Sequence, residues 1–287
     1  MPTHDNLGIR MKTFYEQTPK TRLMRRCPVI IRIDGKAFHT FTRGFQKPFD
    51  EVLIKSMQDT MKYLCENIQG CVLGYTQSDE ITLILVDYKK LTSSAWFDYE
   101  VQKICSISAS MATMAFNRAF EKNVEAENHV FSDEWLDDEN FNPNYKNKEL
   151  ISLWLVHKKA LDKGAMFDAR CFNIPKEEVT NLVYWRQLDA SRNSIQMVGQ
   201  ANFSHKELQN KSCNDIQDML MTQKGINWND LPIYQKRGSC CVKKENENNS
   251  KVRATEYRTE WVIDTEIPVF KGDGREYIDK LIFIGEE

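Results

Sequence analysis

Apolar positions recur along this chain in two rhythms. A β-branched run at residues 27–34 (CPVIIRID) ends in Asp-Gly and predicts a buried strand closed by a turn. Over residues 49–67 the period lengthens, and Val52, Leu53, Met57, Met61, Leu64 and Cys65 fall on one helical face. Residues 71–75 and 81–86 are strand-like runs on either side of the polar TQSDE, which predicts a β-hairpin. Residues 99–121 predict a helix whose small face, Ser108, Ala109, Ala112, Ala115 and Ala119, can lie close to a sheet. Residues 165–174 (AMFDARCFNI) predict a fourth strand, stopped by Pro175.

That order, βαββαβ, is the ferredoxin-like split βαβ unit of the α/β (α+β) class, which nucleotide-polymerising enzymes use as a palm. Right-handed crossovers make the first two strands parallel, with the third between them and antiparallel to both. The end of the first strand and the turn of the hairpin then meet at one rim of the sheet. Asp34 stands at the first place, and Ser78, Asp79 and Glu80 at the second. Beyond Pro175, residues 176–203 predict a long helix with a polar centre that includes Arg186, Gln187, Asp189, Arg192 and Asn193. Residues 238–244 and 253–264 predict a hairpin around the low-complexity, mobile loop ENENNS. The domain reading is a palm-like catalytic core at 1–175, with an acidic insertion at about 121–149. A helical and β-hairpin elaboration at 176–287 packs on it.

Charge adds a direction. Ten lysines and arginines against two acids lie between Gly8 and Lys47, a balance suited to phosphates, whereas nine acids against three lysines fill residues 121–149. With 41% hydrophobic and 28% charged residues, and no apolar run long enough to cross a bilayer, the composition is that of a soluble globular protein. The first residues lack the apolar core of a secretory signal, and the expected location is cytoplasmic, with organellar import left open. Eight cysteines without a C-x-x-C spacing read as reduced thiols, and Cys240 and Cys241 as neighbours on opposite faces of a strand.

Two aspartates at one sheet rim suit Mg²⁺, which takes hard oxygen ligands and favours one or two carboxylates plus substrate phosphates. Asp34 and Asp79 are therefore the expected ligands of two Mg²⁺ ions, with Gly35 allowing close approach of backbone to metal or phosphate. Lys36, His39, Arg43 and Lys47 follow where a nucleoside triphosphate would lie. Asp50 is expected to cap the next helix, whose N-terminus faces anions.

Taken in order, the segments RIDGKAFHTF, KPFD, GYTQSDE, FDAR and YWRQLDA resemble the tRNA(His) guanylyltransferase family and its relatives, the 3′-5′ RNA polymerases that repair tRNA 5′ ends. The likeness runs from about Leu7 to WVIDTEIPVF, nearly the whole chain. It implies a metal site of Asp34, the Gly35 carbonyl and Asp79, with Glu80 a catalytic acid beside the metals. It implies nucleotide contacts by Asp34, Gly35, Lys36, Ala37, Phe38, His39, Lys47, Asp50, Ser78 and Asp79. ATP and GTP or other nucleoside triphosphates are the implied substrates, tRNA the partner, and a homotetramer the assembly.

Arg22, Arg25, Arg26, Arg32, Arg186, Arg192, Asn193, Lys211, Lys236 and Arg237 are the expected RNA contacts. Where the guanylyltransferases carry HINNLYN, this chain reads Ser191 to Met197, with Ser191 at the histidine's place. That departure favours template-dependent 5′-end repair over addition of a guanosine to tRNA(His). Two further readings share the palm: a nucleotidyl cyclase, and a catalytically dead RNA-binding protein.

Overall fold

The computed structural model describes residues 5–135, 146–245 and 259–284, with side chains at 5–126, 151–244 and 259–284. Six strands form one sheet: β1 (Val29–Gly35), β2 (Cys71–Gln77), β3 (Glu80–Leu85), β4 (Phe167–Asn173), β5 (Ser239–Glu245) and β6 (Thr259–Asp264). Their order is β4-β1-β3-β2-β5-β6 and every neighbouring pair is antiparallel. The first four strands have the expected ferredoxin-like order. The C-terminal hairpin joins the same sheet, because β5 pairs with β2 from Gly74 to Thr76.

The helices are α1 (Asn6–Met11), α2 (Phe38–Phe41), α3 (Glu51–Asn67), α4 (Val101–Trp135), α5 (Lys146–Lys163), α6 (Lys176–Asn202), α7 (His205–Leu208), α8 (Cys213–Lys224), α9 (Ile233–Arg237) and α10 (Glu276–Ile282). Among the described residues no helix is long and apolar enough to span a membrane.

Alternation along each strand feeds two cores, because successive side chains point to opposite faces of the sheet. Val29, Ile31 and Ile33 of β1 pack with Met57, Met61 and Leu64 of α3 and with Ile104, Ala112 and Phe116 of α4. Ile30 packs on the other face with Val179 and Val183 of α6 and with Ile278 and Ile282 of α10. Cys240 and Cys241 do part to the two cores, and all eight cysteines are free thiols. The polar centre of α6 is explained in part by Gln187, whose amide donates to the Pro268 carbonyl (2.8 Å) and accepts from the Phe270 amide (3.0 Å). That pair of bonds ties α6 to the chain beyond β6.

The acidic stretch departs from expectation. Rather than leaving the fold at residue 121, α4 continues, burying Asn123 and Val124. The Asn123 amide donates to Ser56 Oγ (3.1 Å) and Asp59 (3.3 Å) of α3, so a polar residue in an acidic run is here a helix–helix bond. Residues 136–145 lie outside the described residues, as does most of ENENNS. The sequence pattern also passed over α5, whose His157 is fully buried.

Candidate functional site

The site is built where β1 ends and the β2–β3 hairpin turns. Gln77 pairs with Glu80, so the turn is two residues, Ser78 and Asp79, tighter than the five-residue TQSDE expected. Ser78 has φ +51°, a left-handed conformation that a side chain seldom adopts outside functional or tightly determined turns. Across the rim the Gly35 amide donates to the Asp79 carbonyl at 3.1 Å, and Asp34 stands opposite Glu80 on one side and Asp168 on the other. The convergence expected of Asp34 and Asp79 is thus a consequence of antiparallel register.

The carboxyls crowd one another. Burial, then the charges of Glu80 and Asp168, raise Asp34 above the ordinary carboxylate value against the pull of Arg32 and Arg170. Burial likewise raises Asp79, with Asp34 and Glu80 adding to it and the bonds from its own backbone amide and Ser78 opposing. Like charges gathered under partial burial are stabilised by a cation placed between them. Among the described residues no group of three or more His, Cys, Asp or Glu is arranged as a protein-only metal cage. A hard divalent ion that draws its remaining ligands from substrate phosphates and water fits this donor set.

Beside the rim opens a cavity of about 500 Å³, within the usual size of a small-molecule site. Gly35, Ala37, Phe38, His39, Lys47, Asp50, Ser78 and Asp79 line it, together with Thr42, Gln46, and Met197 and Gln200 from α6. Its wall is held by an aromatic cluster of Phe38, Phe41, Phe45, Phe116, Phe120 and Phe167, whose neighbouring ring centroids lie 5.1 to 5.8 Å apart. A Cβ at Gly35 would stand 2.2 Å from the Phe38 ring, so only glycine lets the strand end approach this wall. Lys36 and His39 are exposed beside the cavity, and the Lys36 amide donates to Met166 (2.8 Å).

Several expected site residues are already engaged in the fold. Asp50 is buried: Oδ1 accepts from the Leu53 amide (3.0 Å), and Oδ2 accepts from the Gln46 amide (3.0 Å) and lies 2.9 Å from His157 Nε2. It caps α3 and shapes the cavity wall, and its oxygens are occupied. Glu80 is buried too, with Arg186 on both oxygens (2.7 and 2.8 Å) and Arg32 on Oε2 (2.8 Å). Glu80 therefore serves as an anchor for α6 rather than an open ligand, and Arg32 and Arg186 are spent on it rather than presented to RNA.

The N-terminal arginines lie elsewhere. Arg25 binds the buried Asp87 at 2.9 Å and Arg22 pairs with Asp98 at 3.3 Å, while the Arg26 side chain is exposed. Asp87 follows β3 at the end of the sheet remote from Asp79, about 20 Å away along the strands. The basic stretch between Gly8 and Lys47 is thus divided by the length of β1. Arg192 bonds Asp189 from an exposed position, and Asn193 reaches the same carboxylate at 3.4 Å. Lys211 is exposed, Lys236 donates to the Asn229 carbonyl (2.5 Å), and the Arg237 carbonyl accepts from Tyr75 (2.7 Å).

Asp168 was missed as a site residue although FDAR was singled out. A charged Asp-x-Arg inside an apolar strand was the signal, but its placement beside Asp34 depends on β4 register, which the sequence does not specify.

With this geometry in place, comparison with known proteins is informative. A family model described as Thg1, tRNAHis guanylyltransferase, matches residues 9–175. The tRNA(His) guanylyltransferase of Saccharomyces cerevisiae is 25% identical over 240 residues, 77% of this chain and 85% of that protein. A solved bacterial tRNA(His) guanylyltransferase (Thg1)-like protein in complex with ATP is 41% identical, with a TM-score of 0.75 over 97% of this chain and 100% of the other. A bacterial Thg1-like protein in complex with GTP is 38% identical with a TM-score of 0.72 over the same shares. The chain belongs to the tRNA(His) guanylyltransferase family of nucleotidyltransferases.

Proposed function

We propose that this protein is a 3′-5′ nucleotidyltransferase that adds nucleotides to the 5′ end of tRNA, in the template-dependent manner of 5′-end repair. The observation that carries the reading is a nucleotide-sized cavity that ends at Asp79 and Gly35, with the second crowded aspartate, Asp34, next to Gly35 at the same rim. Solved relatives whose descriptions name ATP and GTP support it.

Two Mg²⁺ held by Asp34, Asp79 and the Gly35 carbonyl would supply charge neutralisation and activation of the attacking hydroxyl. The chain does the positioning. Lys47 and His39, which line the cavity, would meet the phosphates, and the aromatic cluster behind Phe38 backs the cavity wall. The Asp79 turn, hydrogen-bonded to Gly35 and anchored through Glu80, holds both carboxylates in place before substrate arrives, and such preorganisation is worth more than contacts made on binding.

In the reaction, an oxygen of the RNA 5′-monophosphate bonds to the α-phosphorus of ATP as pyrophosphate leaves, giving an adenylylated 5′ end, or an existing 5′-triphosphate serves directly. The 3′-hydroxyl of the incoming nucleotide then forms a bond to the 5′ phosphorus as AMP or pyrophosphate leaves. Ser191, which replaces the histidine of the guanylyltransferase motif, supports repair over dedicated guanosine addition. We extend the family likeness to a cytoplasmic homotetramer.

The test offers a 5′-truncated tRNA with each nucleoside triphosphate and scores what is incorporated against the opposing base. Incorporation that follows the opposing base is the expected result. Guanosine added whatever the opposing base would make it a tRNA(His) enzyme, and a cyclic product formed without RNA would make it a cyclase. No incorporation by the wild type, with an Asp79→Ala variant that keeps RNA affinity and all biological activity, would make it a catalytically dead RNA-binding protein.

A further inference from the structure

One feature beside the aspartates is used by neither the cavity nor the core. Arg32 and Asp34 point to the α6 side of the sheet, and the register places Arg170 and Asp168 of β4 next to them. α6 leaves this edge of the sheet open: Arg170 and Asp168 have side chains 55% and 61% exposed. Along the border of the opening, α6 presents Trp185 and Leu188, each 51% exposed, and then Arg192. Trp185 and Leu188, three residues apart on one face of α6, make contiguous exposed apolar surface of the kind that marks an interaction site.

Trp185 is held from one side. The Arg186 and Arg32 guanidiniums lie 4.5 and 5.5 Å from its ring centroid, and both bind the single carboxylate of Glu80. Two guanidiniums sharing one carboxylate sit on the same side of the indole, which leaves the other face as the exposed one. Their positive charge draws on the ring's electron density and fixes its plane. Arg32 and Asp34 are two residues apart on one face, so the residue that holds the plate stands about 7 Å along the strand from the first aspartate.

The nucleotide cavity approaches the same aspartates past α2 and the start of α3, through Phe38, Phe45 and Leu53. A second substrate must arrive by another path, and the open edge between β4 and α6 is one.

We infer that Trp185 is a stacking platform for a base near the RNA 5′ end, with Arg170 and Arg192 facing the adjoining phosphates; this rests on the RNA-extending reading above. An exposed aromatic plate flanked by guanidiniums is a sequence-tolerant way to hold single-stranded RNA, since every base has a π-face. The exposed pair Arg170–Asp168 is held weakly and exchanges for phosphate at little cost, and Asp189 keeps Arg186 and Asn193 when the exposed Arg192 guanidinium turns to phosphate.

The test uses the full chain, a 5′-monophosphorylated single-stranded oligoribonucleotide and ATP, with both affinities measured for wild type, Trp185→Ala and Trp185→Phe. RNA affinity falls about tenfold or more in Trp185→Ala and largely returns in Trp185→Phe, while ATP affinity stays within about twofold throughout. RNA affinity unchanged in Trp185→Ala overturns the inference and leaves the RNA-extending reading standing. A parallel loss of RNA and ATP affinity also overturns it, because Trp185 would then be only a lid on the Glu80 cluster. A wild-type protein that binds no RNA sinks both.

Discussion

Removing the Arg186 guanidinium tests whether α6 and the metal-binding turn are held as one unit. The side chains of Arg186 and Glu80 are 7% and 5% exposed, and two short charge-assisted bonds join them. In Arg186→Ala, Glu80 keeps Arg32 on Oε2, but Oε1 is left with only Thr82 at 3.5 Å. Breaking a buried pair from one side costs about 3–5 kcal/mol, because the remaining charge is desolvated without compensation. The surviving Arg32 bond puts this variant at the low end, about 3 kcal/mol, which for a chain of this size lowers Tm by about 5 °C. Urea unfolding and calorimetry on Arg186→Ala, Glu80→Gln and the Arg186→Ala/Glu80→Gln double variant supply the cycle. The double variant is expected to be more stable than the two single losses added together, by about 2 kcal/mol. A cost below about 1 kcal/mol for Arg186→Ala, or strict additivity, would refute the idea that this cluster anchors the turn.

Two further outcomes follow from the rim itself. Because burial raises Asp79 above its unfolded value near 3.8, the folded protein holds that proton to higher pH than the unfolded chain. Metal-free stability therefore falls as pH rises from the ordinary carboxylate value through the raised one, then levels. Asp79→Asn removes part of that slope and the Tm gain on adding Mg²⁺, as thermal melts across pH with EDTA or Mg²⁺ will read; an unchanged Mg²⁺ gain would count against Asp79 as a ligand. Gly35→Ala drives a methyl to 2.2 Å from Phe38, which the surrounding rings hold in place, so a loss of about 1–3 kcal/mol and of nucleotide binding is expected in unfolding and ATP titrations. A variant as stable as wild type would show that Phe38 can yield.

Much of the fold was legible because its signals are local. The strand at β1, the helix at α3 capped by Asp50 and the hairpin of β2 and β3 are each written in periodicity and turn chemistry within a short window. Charge counted along the chain was a weaker guide. A run of basic residues whose balance suits phosphates is split by the length of a strand, and an acidic run read as solvent-facing contains a buried asparagine bonded to α3. Net charge in a window does not say which side chains share a place in space. Arg186 and Glu80 lie 106 positions apart, and nothing in either neighbourhood announces that each neutralises the other.

By itself the sequence determined the βαββαβ order of the core, and through the handedness of crossovers it required the tips carrying Asp34 and Asp79 to meet. The tertiary structure decided what each charge does there. Register set Asp168 beside Asp34, burial turned Glu80 and Asp50 from open carboxylates into anchors, and the path of α6 left Trp185 uncovered. The physical reason is range. Backbone periodicity is fixed by neighbours a few residues away, whereas an ion pair is decided by which distant groups packing brings within bonding distance and how much water it leaves between them.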